Sequence, residues 1–306
     1  MILLGISVVA LAVYLALGAQ WFPSMMVTLV PALLLYLLAH CLRALRIFLL
    51  LYDGRLRASE TLLTHIHAAG VSMLIPWKLG EIYRIVVFQG LSPTFRRVLM
   101  SVWVERIWDT IALLLLLLIP SLMHSDTPIN SELLLMMLAF LCISAFLFLV
   151  LPENINLVKR YLIVRKRSDQ ALWMLIWVDR IHTLLITAYR LLCYRVATMA
   201  WITCGIWTLE LGALWLALHV PSTVTPTGGA THLLQAFAQQ LSAPVPWMTQ
   251  SSLLDSLSMT YHLLSISALC LLALLCVPAL LLKVFRDRAG SWSWHRTVGD
   301  AMITPR

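Results

Sequence analysis

Pro76-Trp77-Lys78-Leu79-Gly80-Glu81-Ile82-Tyr83-Arg84 sets a cation, an anion and another cation, with a Pro and a Gly, between apolar arms at 61–75 and 85–91. Charge at membrane depth is costly, so ionisable residues inside a membrane-embedded segment mark function. A second polar cluster, Glu105-Arg106-Ile107-Trp108-Asp109, opens a long apolar run. Glu105 and Asp109 share a helix face at i, i+4, and Arg106 and Asp109 are neighbours at i, i+3. Both lie past Arg97 by roughly 12–18 Å of helix rise. The two clusters are expected to line one polar cavity near the bilayer midplane.

Composition sets the surroundings of those charges. The 306 residues are 61% hydrophobic and 12% charged, about half the charge of a soluble domain. Leu-rich runs and twelve Trp point to a polytopic helical membrane protein. No polar run is long enough for a separate soluble domain. The net charge of +8 does not indicate nucleic acid here. Lys and Arg cluster beside apolar segments, as in the positive-inside pattern, and suit anionic head groups. The six Cys form no Cys-x-x-Cys pair and read as small hydrophobes. His65-x-His67 reads as polar residues on a helix face, so neither a metal nor a cofactor is expected.

The chain in order gives an all-α bundle. Residues 2–19 form a first span, read as retained because no basic region precedes it. Residues 20–24, with Pro23, make a turn. Span two runs from about 25 to 52, longer than the ~20 residues a bilayer needs, and carries Arg43 and Arg46 on one face. The segment 61–95 lies between Arg55/Arg57 and Arg96/Arg97, so both ends share a side. Each arm is too short to cross, and Pro76 and Gly80 interrupt the middle. A re-entrant helical hairpin satisfies both constraints. Spans follow at 98–120, 133–151, 196–218 (with Glu210 inside) and 257–282. The Lys- and Arg-rich stretch 152–195 and the tail read as cytoplasmic. Within the former, 171–194 suits either a helix in the interface or a short coil plus a span that extends outward.

Pro246-Trp247, in a periplasmic stretch at 219–255 without Lys or Arg, mirrors Pro76-Trp77. Span, interrupted segment and span thus recur with opposite loop charge, as in an inverted-topology repeat. The expectation is about six full spans plus two re-entrant hairpins in a single domain over 1–306. Its parts are an extra N-terminal span (1–24), a first half (25–151), a cytoplasmic or interfacial linker (152–195), a second half (196–285) and a cytoplasmic tail (286–306). Both termini fall in the cytoplasm.

Pro76-x-Lys78-x-Gly80-Glu81-x-x-Arg84, followed by Glu105-Arg106-x-x-Asp109, resembles the lysylphosphatidylglycerol synthase transmembrane family. That is the flippase portion of the bacterial multiple-peptide-resistance factors and of stand-alone flippase-like proteins. The Arg43/Arg46 pair also fits, and the resemblance spans roughly 25–285. The second half departs from it: Thr225-Pro226-Thr227-Gly228-Gly229 is only a fragment of the expected Gly-rich segment, and no Glu follows. No aminoacyl-transferase domain is expected within these residues. The resemblance implies a flippase of the bacterial inner membrane, transporter-like rather than an enzyme, with a membrane lipid as substrate.

Physical reasoning supports that implication. Arg binds phosphate bidentately and Lys as a point charge, while the carboxylates hold these cations when the cavity is empty. The candidate substrate-binding residues are Arg43, Arg46, Lys78, Glu81, Arg84, Glu105, Arg106, Asp109 and Glu210; no catalytic or metal-binding residue is assigned. Two other readings stay open. A lipid-modifying transferase or hydrolase would use Glu81, Glu105 or Asp109 as general base. A non-catalytic protein would partner a glycosyltransferase or lipid-modifying enzyme. A homo-oligomer is compatible with all three.

Overall fold

The computed structural model describes the backbone of residues 22–54, 56–74, 79–92, 94–123, 131–165, 169–218, 265–266, 268–280 and 282. The regular elements among the described residues are all helices, with no strand among them. The helices are α1 Phe22–Leu51, α2 Ala58–Leu74, α3 Leu79–Gln89, α4 Phe95–Met123, α5 Ser131–Ala145, α6 Leu151–Arg165, α7 Asp169–Cys193, α8 Val196–Leu218 and α9 Ala268–Leu280. Among the described residues, three helical stretches are long and apolar enough to cross a membrane: Val30–Leu51, Ser131–Val164 and Val196–Ala217. At 29 residues, α4 has ample length, about 44 Å at 1.5 Å per residue, but carries Glu105, Arg106 and Asp109 in its middle. The first predicted span and the second interrupted segment lie outside the described residues.

Helices α2 and α3 form an antiparallel pair. The imidazole Nε2 of His67 and the hydroxyl of Tyr83 are 2.8 Å apart, and Ser72 Oγ donates to the Gly80 carbonyl at 3.1 Å. The residue numbers in both pairs sum to nearly the same value, as antiparallel chains require. With 11 residues, α3 rises about 16 Å, half the ~30 Å of a hydrocarbon core. Gly80 makes the pair close: a Cβ there would stand 2.9 Å from the Ser72 carbonyl oxygen. Gly70 does the same for the α2–α9 crossing, where a Cβ would lie 2.6 Å from that of Ala273.

The remaining helices order themselves around α1 and α4. Arg97, in the first turn of α4, donates to the carbonyls of Leu50 (3.2 Å) and Tyr52 (2.8 Å) at the end of α1. It thereby satisfies acceptors that a helix end leaves free. The C-termini of α1 and α3 and the N-termini of α2 and α4 therefore meet at one arginine-flanked end. Helix α8 runs antiparallel to α1, with Gly205 against Leu42 and Gly212 against Leu35. An apolar core joins Leu50 of α1, Met100, Val104 and Ile107 of α4, and Leu185, Ala188 and Leu191 of α7.

Two local expectations change. Residues 22–24 are helical rather than a turn, because Pro23 occupies a first-turn position where the missing N–H costs nothing. Pro152 does not end the helix begun at Ser131. A π-helical segment, Phe146–Val150, joins α5 to α6, and the Leu151 N–H bonds the Phe146 carbonyl in the wider i→i−5 pattern. That widening accommodates the proline ring, which would otherwise clash one turn back. Of the two readings offered for 171–194, the continuous helix holds: α7 runs unbroken to Cys193. Its C-terminal half is core, and Lys159 of α6 fastens its N-terminal half by donating to Asp179 at 2.7 Å.

Candidate functional site

Four helices converge on the polar cluster. Helix α1 supplies Arg43 and Arg46, α3 supplies Glu81 and Arg84, α4 supplies Glu105, Arg106 and Asp109, and α8 supplies Thr203 and Glu210. Spacing explains how so few turns provide so many groups. Arg43/Arg46, Glu81/Arg84 and Arg106/Asp109 are i, i+3 pairs, and Glu105/Asp109 is i, i+4, so each helix presents its charges on one face.

Arg46 is the centre, and its side chain is 0% exposed. It grips Asp109 with two parallel bonds, Nη1 to Oδ1 at 2.8 Å and Nη2 to Oδ2 at 3.0 Å. Nη2 also donates to Glu105 Oε1 at 2.9 Å, and Nη1 to Thr203 Oγ1 at 3.0 Å. All four terminal N–H groups of the guanidinium are thus used. The other Glu105 oxygen accepts from Arg84, so Glu105, 1% exposed, bridges two arginines. Arg43 pairs with Glu210 nearby. A fork-and-carboxylate geometry of this kind makes a buried pair tolerable, because desolvation is offset only when each charge finds several good partners.

The network has an open end. Arg106 bonds Glu81 and lies 3.6 Å from Asp109. Its side chain is 44% exposed and that of Glu81 is 36%, against 0–1% for Arg46 and Glu105. In total, four guanidinium groups face four carboxylates among the described residues, and the cluster balances.

Eight of the nine sequence-predicted residues therefore belong to one connected site or its immediate flank. Lys78 lies outside the described residues. The Arg43–Glu210 and Arg46–Asp109 pairings join residues far apart in sequence, and the sequence named no partner for either arginine. Thr203 was missed altogether; a threonine in an apolar helix carries no distinguishing signal. His40 and His65 were also missed as neighbours of the site. His65 and His67 do not act together: His65 faces the His40 ring at 5.7 Å between centroids, while His67 meets Tyr83. Among the described residues no group of three or more His, Cys, Asp or Glu could hold a metal ion.

No curated protein and no solved structure matches the chain. A family model does, over residues 2–246, which reaches further toward the N-terminus than the resemblance drawn from motifs and stops short of α9. Both charged motifs and all nine candidate residues fall inside it. The chain is a membrane protein with apolar helices around a buried ionic network, and it belongs to the family described as the lysylphosphatidylglycerol synthase TM region.

Proposed function

We propose that the protein moves a phosphate-containing lipid head group between the leaflets of the bacterial inner membrane. The observation that carries this is the graded charge network. Ionic groups held by α1, α3, α4 and α8 lead from a sealed core at Arg46 to a half-exposed pair at Arg106 and Glu81. A head group needs such a graded path: charge partners inside the bilayer, yet partners that can be exchanged. The phosphate would take Arg106 from Glu81, and Arg106 could bind it bidentately. The freed Glu81 could receive an amine or sugar hydroxyl. Phospholipid and polyprenyl-phosphate-linked sugar both fit this chemistry.

The carboxylates support transport over covalent chemistry. Both oxygens of Glu105 and both of Asp109 already accept from guanidinium groups, so neither is free to take a substrate proton without dismantling the core. The length of α3 and the positive-inside rule support a re-entrant reading of α2–α3 and a cytoplasmic location for the arginine-flanked end. Membership of the lipid-related family agrees.

The test is leaflet exchange in proteoliposomes, with labelled phospholipids and one polyprenyl-phosphate sugar. Wild type should exchange at least one substrate, and Arg106→Gln should slow it tenfold or more. A product of changed covalent mass would instead identify a transferase. Folded protein that moves nothing and modifies nothing would leave the accessory-partner reading in its place.

A further inference from the structure

Two histidines stand against the buried end of the network, and nothing above uses them. His40 of α1 and His65 of α2 are 4% and 2% exposed. Their rings are 5.7 Å apart. All four ring nitrogens are buried and lack a hydrogen-bond partner among the described residues. A buried polar atom without a partner is costly, and this pair supplies four. The ring of His65 stacks near Phe88 at 6.4 Å, and the Arg84 guanidinium lies over that same Phe88 ring at 5.3 Å. Arg84 in turn holds Glu105. The charged groups that face the two imidazoles are Arg43 and Arg46 from α1, Arg84 from α3 and Glu105 from α4, with Tyr36 against His40 at 4.7 Å.

We infer that His40 and His65 form a proton-binding site that takes up one proton when a phosphate anion enters the cavity. The inference rests on the head-group reading above. The described network is neutral, four cations against four anions. A phosphate drawn to Arg106 takes it from Glu81 and leaves one uncompensated negative charge in a low-dielectric interior, where such charge is least tolerable. A free imidazole lone pair then binds H⁺, and the imidazolium charge beside the network offsets the added anion. One anion and one proton enter together, and the net charge of the cavity is unchanged. The lipid step thereby becomes sensitive to a proton gradient. By linkage, the proton strengthens lipid binding as much as the lipid strengthens proton binding.

The experiment titrates purified protein in weakly buffered detergent, with a pH-sensitive dye present. The probes are short-chain phosphatidylglycerol and a short-chain polyprenyl-phosphate-linked sugar, both singly charged phosphodiesters, with phosphate-free diacylglycerol as control. Wild type should take up close to one proton per bound phosphate lipid and none with diacylglycerol. Its dissociation constant should weaken toward tenfold per pH unit across the window of uptake. Uptake per bound lipid should fall at least fivefold in His40→Gln, His65→Gln or their combination. Lipid binding without proton uptake overturns the inference and leaves the head-group reading standing. Unchanged uptake in all the variants also overturns it, assigning the compensating charge to another residue. Failure of any phosphate lipid to bind removes both readings.

Discussion

Arg46 and Arg106 belong to one network and live under opposite conditions. Arg46 is sealed, with every terminal N–H engaged across three helices. Arg106 keeps 44% of its side chain exposed and shares Glu81 with Arg84. The same residue type thus does two jobs. Where water is excluded, a guanidinium and its carboxylates act as a clamp, since losing one partner leaves the others charged and buried. Where the side chains are exposed, an ion pair is worth little to stability. The gradient from α1–α8 to α3 separates what holds the bundle from what can meet a ligand.

The largest effect should come from breaking the sealed end. Arg46→Met leaves Glu105 and Asp109 short of their main cation and should cost about 3–5 kcal/mol, read as loss of monodisperse folded protein in detergent. A wild-type unfolding midpoint for this variant would erase the distinction between the two ends. Next comes the seat of the open end. Gly80→Val forces a side chain against Ser72, where even a Cβ would stand 2.9 Å from backbone oxygen. Overpacking of that kind costs about 1–3 kcal/mol and should shift Glu81 and Arg84 together, so exchange should fall more than stability.

Smaller changes grade the comparison further. Thr203→Val removes a buried acceptor from Arg46 and should cost about 1–2 kcal/mol. Arg106→Gln should change stability by no more than about 1 kcal/mol, as for other half-exposed pairs, while abolishing most exchange. If Arg106→Gln proved as destabilising as Arg46→Met, the open end would be structural too.

The smallest effect lies away from the site, at Lys159–Asp179 on α6 and α7. The hydrogen bond from Lys159 holds the Asp179 carboxyl below its ordinary 3.8. A depressed carboxylate contributes stability that is present above its unfolded value and lost as pH falls through the folded one. The difference in unfolding midpoint between wild type and Asp179→Asn should therefore be small and constant from pH 5 to 7, and should vanish on acidification below 3.8.

Legibility followed the range of the interactions. The helix limits of α1, α4 and α8 were close to their apolar runs, because desolvating backbone in a bilayer leaves few alternatives to a helix. The misreadings at Pro23 and Pro152 were local as well, but there the helix had two ways to absorb a proline: a first-turn position and a π-helical widening. Exposure was not legible. Nothing in the sequence ranks Arg46 above Arg106, since both are arginines near the middle of apolar segments.

By itself the sequence determined that this chain is helical, embedded in a membrane and unable to avoid bringing charge inside. The cost of that charge also fixed which residues must find partners. Only the tertiary structure decided who those partners are. Asp109 and Thr203 stand 63 and 157 residues from Arg46, and their meeting depends on how α1, α4 and α8 pack. The same packing set His40 beside His65 and left Arg106 partly exposed. Pairing energy is local in space and not in sequence, so the sequence could name the charges but not their partners.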